Sequence, residues 1–296
     1  MKRFLIILLT LLITLPMAFA GQKRAFLVGI SKYRTETRRD WQNIHGSEDI
    51  QLLEPSLKAQ GFQVTTLTNE QATHAGIVAG LKSLIKKVKK GDIVYIHFST
   101  HGQPVEDGMN GLKADEADGW DEAIVPIDAG SKYSASYDGS KHLTDDEFNS
   151  YVSQIRSKLG PKGALYVVMD ACHSGNSSRG EFVTSRGTNE GLSRSGKKYN
   201  FVNAENKQHY RLDNSPKLAP TIFLEACTSR ERNFEIVIGG KEYGSLSYMV
   251  YQTLKSIKIG TSPAAFERAV KSTIANSKEW QKQLSQKQHI VTETSY

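Results

Sequence analysis

Short, β-branched apolar runs alternate with amphipathic stretches along most of this chain, and few folds accommodate that rhythm. Arg24 to Ile30, Phe62 to Leu67, Asp92 to Phe98, Leu165 to Met169 and Thr221 to Leu224 read as strands. Ser47 to Gln60, Thr73 to Lys90, Thr144 to Leu159, Ser245 to Ile257 and Pro263 to Ser277 carry apolar residues at helical spacing. In the first of these Ile50, Leu53 and Leu57 set the period, and Gly61 closes it. Gln288 to Thr294 adds a short edge strand. Strands joined by helical crossovers pair in parallel, with both sheet faces covered. The expectation is an α/β domain: a mostly parallel six-stranded sheet flanked by helices on both faces.

Residues 1–20 fall outside that rhythm. Lys2-Arg3 precede an apolar run from Phe4 to Leu15, and Ala18-Phe19-Ala20 forms a small-residue cleavage site before Gly21. This pattern predicts a secretory signal peptide cut after Ala20, and a secreted or periplasmic product with no stable membrane span. The product is one domain, residues 21–296. The net charge of +7 falls to +5 once Lys2 and Arg3 leave. That excess, without aromatic–basic interleaving, does not indicate a nucleic-acid partner. Only Cys172 and Cys227 are available in an oxidising compartment, so a disulfide scaffold is excluded. A single structural disulfide is the plain alternative for the pair.

Two segments break the pattern. Gly102 to Lys141 is acidic and Gly-rich, and Gly175 to Pro220 is Ser/Gly/Asn-rich and basic. Structureless stretches of this length are usually functional or disordered. Each begins just after a residue with chemical potential: His101 beyond the third strand, and Cys172 beyond the fourth. Ligands of open parallel sheets bind at the carboxyl ends of the strands. An imidazole and a thiol delivered there make a nucleophile with its base. Backbone N–H groups of Gly102 and Cys172 are candidates for an oxyanion hole. No third triad member is evident. Ser99, two before His101, is read onto the same strand face. His97, His101 and His173 near Cys172 would also suit zinc, but the H-E-x-x-H helix pattern is absent.

The segments His101-Gly102 and Asp170-Ala-Cys172-His173-Ser-Gly175 resemble those of caspase-like cysteine peptidases, most closely the metacaspase and bacterial metacaspase-like branch. The likeness extends to Gly29-Ile30-Ser-Lys-Tyr33, to Asp49 with Leu53 and Leu57, to Asp118-Gly-Trp-Asp121-Glu122, and to Leu143-Thr-Asp145-Asp146-Glu147. It implies a caspase–hemoglobinase fold, with a large-subunit-like part over residues 21–178, a basic loop over 176–219 and a small-subunit-like part over 220–296. It also implies a cysteine endopeptidase acting through a His101/Cys172 dyad with no cofactor required for the chemistry. Caspases have Gln-Ala-Cys where this chain has Asp170-Ala-Cys172. A carboxylate in the S1 pocket favours a cationic P1 side chain. By similarity Asp49 partners Asp170 across that pocket, and Ser99 adds a polar group. Protein or peptide substrates with basic P1 residues follow.

The basic loop then offers self-cleavage sites at Arg179, Arg186, Arg194, Lys197 and Lys198. The resemblance also implies calcium as an activator, with Asp145, Asp146 and Asp115 (or Glu116) as oxygen ligands. One further aspartate of that family's site is Arg179 here. A monomer is expected. The alternatives are a clostripain- or gingipain-type peptidase of the same clan and a catalytically silent caspase-like binding domain.

Overall fold

A computed structural model of the chain describes residues 21–33, 40–109, 114, 116–172, 184–188, 190–200, 210 and 212–296. Its strands are β1 (Lys23–Gly29), β2 (Phe62–Thr68), β3 (Ile93–Ser99), β4 (His101–Glu106), β5 (Trp120–Val125), β6 (Leu143–Thr144), β7 (Ala164–Asp170), β8 (Thr221–Glu225), β9 (Glu235–Ile238), β10 (Lys241–Gly244) and β11 (Val291–Thr294). Its helices are α1 (Gly46–Ala59), α2 (His74–Lys87), α3 (Asp145–Leu159), α4 (Ser245–Leu254), α5 (Pro263–Asn276) and α6 (Lys278–Gln283).

The central sheet has six strands in the order β11-β8-β7-β3-β1-β2. All neighbours are parallel except β11, which pairs antiparallel with β8 at the edge. The two-residue period of the strands divides the apolar side chains between two cores. Val94, Ile96 and Phe98 of β3 pack with Ile77 and Leu81 of α2 and Phe148, Val152 and Ile155 of α3. Ile93 and Tyr95 pack on the opposite face with Ile50, Leu53 and Leu57 of α1, Val250 of α4 and Phe266 of α5. Among the described residues no helix is long and apolar enough to cross a membrane.

Two sequence expectations change. The acidic segment after Gly102 is partly ordered as a second, antiparallel sheet, β4-β5-β6. Its strands are short and carry acidic residues inside, so hydrophobic alternation does not announce them. The chain turns at Thr100, so β3 ends at Ser99 and His101 opens β4. Ser99 and His101 therefore do not share a strand face. The basic stretch is also anchored where it is described. Leu192 is buried against Val105 and Ala123, and its backbone pairs with Pro104 and Glu106 of β4.

Candidate active site

Parallel pairing sets Gly29, Ser99 and Asp170 level at the carboxyl ends of β1, β3 and β7. Asp49 reaches the same point from the first turn of α1. The buried side chains of Asp49, Ser99 and Asp170 surround the guanidinium of Arg186, itself fully buried. Nη2 of Arg186 donates to Asp49 Oδ2 (2.8 Å), and Nη1 donates to Ser99 Oγ (2.5 Å). Ser99 Oγ in turn donates to Asp49 Oδ2 at 2.6 Å. Asp170 stands further off, 3.8 Å from Nη1. Its Oδ2 is taken up by the backbone N–H and hydroxyl of Ser247 at the start of α4, both at 2.7 Å. Its Oδ1 accepts from Asn233 Nδ2 at 2.7 Å. Behind Ser247, His97 Nε2 lies 2.8 Å from the hydroxyl, and burial pushes that imidazole down to about 3. The Tyr95 hydroxyl lies 2.9 Å from Nδ1, so with both ring nitrogens engaged His97 serves as a neutral strut for Asp170.

Glu235, the first residue of β9, completes the ring, and no sequence signal points to it. Its Oε1 accepts from both Nη2 (2.6 Å) and Nε (3.1 Å) of Arg186. Its Oε2 lies 2.6 Å from His45 Nδ1. Burial pushes the Glu235 carboxyl up, but Arg186 and His45 outweigh it and hold the group at about 2. Burial pushes Asp49 the other way, up to about 7, with Asp170 and Glu235 adding to it against the pull of Arg186. Gly244 forms one wall. A Cβ there would lie 2.3 Å from Asp170 Oδ2, 2.6 Å from Asp49 Oδ2 and 2.7 Å from Arg186 Nη1.

The backbone around Arg186 lies in the cleft as an extended peptide. Its N–H donates to Asn233 O (2.9 Å), and the Glu235 N–H donates to Thr184 O (2.8 Å). Ser185 and Phe234 form an antiparallel bridge, and Gly187 a parallel bridge with Gly102. Adding a strand to an exposed sheet edge is a common way to bind extended peptide. The Arg186 carbonyl accepts from the Cys172 N–H at 3.0 Å. The carbonyl next to the Arg186–Gly187 bond therefore rests on one of the two proposed oxyanion-hole donors.

Cys172 and His101 follow adjacent strands of the central sheet and are both buried. His101 packs against the rings of Tyr33 (4.7 Å) and Trp41 (5.2 Å), which also meet each other. Its Nε2 lies 2.9 Å from the Gln42 carbonyl, which cannot donate, so Nε2 carries the proton and Nδ1 is the basic atom. Nδ1 is buried with no hydrogen-bond partner among the described residues. Burial pushes His101 down to about 4, so the ring is neutral near pH 7. The Gln42 carbonyl thus takes the place of a third triad member. A backbone atom leaves no mark in the residue pattern. The Cys172 thiol donates to Glu231 O (3.3 Å), and Cys227 Sγ approaches it at 3.0 Å. No disulfide joins the two cysteines in this structure.

The other sequence candidates lie apart from this cleft. Lys197 Nζ donates to the carbonyls of Asp118 and Gly119 and covers the Trp120 ring. Arg194 and Lys198 lie beyond the strand-like segment, and Arg179 and His173 fall outside the described residues. Asp145 and Asp146 open α3 behind the Thr144 cap. Asp146 lies near Asp121, whose carboxyl burial pushes up to about 7, with Asp107, Asp146, Glu122 and Glu116 adding to the shift. Oδ1 of Asp107 and Oδ1 of Asp121 are buried with no hydrogen-bond partner among the described residues. Carboxylate oxygens are the donors calcium takes, although among the described residues no three of these carboxylates bring ligand atoms within 4.8 Å of one another. Asp115 falls outside the described residues.

The family model of the metacaspase peptidase C14 domain matches residues 23–178. Metacaspase III c of Phaeodactylum tricornutum is 31% identical over 169 residues, 54% of this chain and 45% of that protein. Metacaspase-1B of Aspergillus fumigatus is 29% identical over 169 residues, 53% of this chain and 36% of that protein. Metacaspase-1 of Lodderomyces elongisporus is 25% identical over 270 residues, 77% of this chain and 57% of that protein. In each case the chain spans less than two thirds of the relative's length. Among solved structures, protein GSU0716 from Geobacter sulfurreducens shares the fold with a TM-score of 0.58 at 20% identity, covering 92% of this chain and 93% of that one.

Proposed function

Since the chain belongs to the metacaspase family of C14 peptidases, we propose that it is a cysteine endopeptidase that cleaves after arginine or lysine and first cleaves itself between Arg186 and Gly187. One observation carries this reading: Arg186 fills the acidic pocket as a P1 side chain while its carbonyl accepts from the Cys172 N–H. His101 Nδ1 takes the thiol proton, and the thiolate attacks the P1 carbonyl carbon. The Cys172 N–H, with that of Gly102 beside it, stabilises the oxyanion. The imidazolium returns its proton to the departing Gly187 amine, leaving an acyl-enzyme that water hydrolyses. Tyr33, Trp41 and the Gln42 carbonyl hold the imidazole in the tautomer these steps need. Release of the Arg186 side chain would then open the pocket to other substrates.

Calcium is the proposed activator. Asp121 and Asp146 would hold it with Asp107 and Asp145, supplying a charge-neutralising centre that steadies the β4–β5 sheet beside the cleft. Export is the accompanying proposal, resting on the pattern of residues 1–20.

A fluorogenic panel with Arg, Lys or Asp at P1, with and without Ca²⁺, tests the specificity. N-terminal sequencing of the purified chain's fragments tests self-cleavage. Expected starts are Gly21 and Gly187, with the Gly187 start missing from Cys172→Ala. A preference for Asp overturns the pocket reading. Silence of all three substrates, with no labelling of Cys172 by an arginyl chloromethyl ketone, leaves a binding domain.

A further inference from the structure

The pocket holds three carboxylates, and they do not see the same part of the guanidinium. Asp49 accepts from the terminal Nη2 only. Asp170 approaches Nη1 at 3.8 Å, with both oxygens already engaged by Ser247 and Asn233. Either would serve an ammonium as well, because each reads charge at the far end of the side chain. Glu235 differs. Its Oε1 takes Nη2 and Nε together. Nε lies one bond short of the guanidinium carbon, where lysine has a methylene. Lysine can offer Glu235 nothing at that position.

Glu235 is also fixed before a substrate arrives. The His45 backbone N–H donates to its Oε1 at 2.7 Å, and its Oε2 lies on His45 Nδ1. Glu242 Oε2 stands 3.5 Å from the same nitrogen and favours the charged ring. His45 immediately precedes α1, the helix that carries Asp49. One short turn therefore sets both carboxylates. Glu235 also lies outside residues 23–178, the part of the chain that the family model covers.

We propose that Glu235 is the arginine selector of this pocket: its Oε1 recognises the Nε–Nη2 edge of a P1 guanidinium, and His45 is the positioning residue that holds its Oε2. The proposal rests on the peptidase reading above and narrows it from basic P1 residues to arginine. Charge-assisted hydrogen bonds are worth enough that losing the Nε donor against a buried carboxylate costs about tenfold to a hundredfold. The native chain is accordingly expected to favour Arg over Lys at P1 by about that factor in kcat/KM.

The test measures kcat/KM for matched Arg and Lys peptides with the full-length native protein and with Glu235→Gln, His45→Ala and Asp49→Asn. Active sites are titrated with the arginyl chloromethyl ketone so that misfolded protein is not counted. Glu235→Gln should bring the Arg/Lys ratio close to one by losing Arg cleavage. His45→Ala should move the ratio part of the way, mostly through KM. Asp49→Asn should weaken both substrates and leave the ratio standing. An unchanged ratio in Glu235→Gln overturns the proposal. Failure of the native chain to cut either peptide overturns the peptidase reading instead.

A second measurement needs no turnover. On the Cys172→Ala background, thermal melting of Arg186→Lys, Glu235→Gln and the double variant forms a cycle. Arg186→Lys should lower the melting temperature clearly when Glu235 is present, and much less when it is combined with Glu235→Gln. Equal losses in the two backgrounds overturn the selector role.

Discussion

The molecule crowds carboxylates together in two places, fully buried in one and partly buried in the other, and it treats them differently. Around the cleft, Asp49, Asp170 and Glu235 enclose a cation supplied by the chain itself, Arg186. Across the β4–β5 sheet, Asp121 is crowded by Asp107, Asp146, Glu122 and Glu116, and one oxygen each of Asp107 and Asp121 finds no hydrogen-bond partner among the described residues. Several like charges in low dielectric are costly unless a cation joins them. In the first group the cation is covalently attached and, on the peptidase reading, can be cut away from its anchor. In the second it would come from solution. An internal occupant makes a lock, whereas an external one makes a sensor.

The largest effect should come from removing the internal cation. Arg186→Ala on the Cys172→Ala background leaves three buried carboxylates without their partner, and should cost about 3–5 kcal/mol. That corresponds to a fall on the order of 10 °C in melting temperature. Asp49 is already held up at about 7 beside Arg186 and lies higher still without it, so stability is lost as pH rises through that window. The deficit should therefore be smaller near pH 5 and keep growing as pH rises above 7. Thermal melting across pH checks it. A variant that melts like its parent at pH 8 would show that the acidic pocket needs no cation.

Filling the pocket wall is the next test. Gly244→Ala places a methyl group against Asp170, Asp49 and the P1 guanidinium at once. Overpacking of this kind costs about 1–3 kcal/mol, or roughly tenfold to a hundredfold in kcat/KM for P1-Arg substrates. The same change should weaken the seat of Arg186 in the uncleaved chain, seen as faster nicking of the loop by an added protease. Undiminished cleavage of Arg peptides by Gly244→Ala would mean that substrates use another pocket.

The second group is tested by adding the proposed cation. Calcium at a hundredfold excess over its dissociation constant stabilises a single-site protein by about 2.7 kcal/mol. Millimolar Ca²⁺ should raise the melting temperature of the native chain, and Asp121→Asn or Asp146→Asn should erase most of that rise. The arginine pocket should not respond, so Asp49→Asn should keep the calcium shift. A shift retained in both Asp121→Asn and Asp146→Asn would place the ion elsewhere.

The two groups were also unequally legible in the sequence. Asp49, Ser99 and Asp170 sit on regular elements of a parallel sheet and its first helix, so period and family likeness together mark them. Glu235 opens a four-residue strand after a loop, where no period can build up. The Gln42 carbonyl has no residue identity at all. Asp121 falls in a stretch that reads as an acidic loop, because β5 carries acidic beside apolar residues and buries both. Even the marked residues changed rank. Asp170 adjoins the nucleophile in sequence, yet Ser247 and Asn233 hold it back from the guanidinium, and Asp49 and Glu235 make the short contacts.

The smallest effect separates binding from chemistry within the cleft. Asp49 is pushed up to about 7 and His101 down to about 4, so the two titrate in different windows. Arg186 pulls Asp49 down, so its value of about 7 belongs to the filled pocket and the empty pocket keeps its proton to higher pH; as pH falls towards 7 the empty pocket loses one negative charge, while His101 stays neutral and able to accept the thiol proton. KM for P1-Arg peptides should then rise by at most about tenfold per pH unit, with kcat nearly flat. Asp49→Asn should show the raised KM at every pH and lose the slope. A slope that appears in kcat instead would assign the titration near 7 to the His101–Cys172 pair, and the pocket would then keep its charge throughout that range.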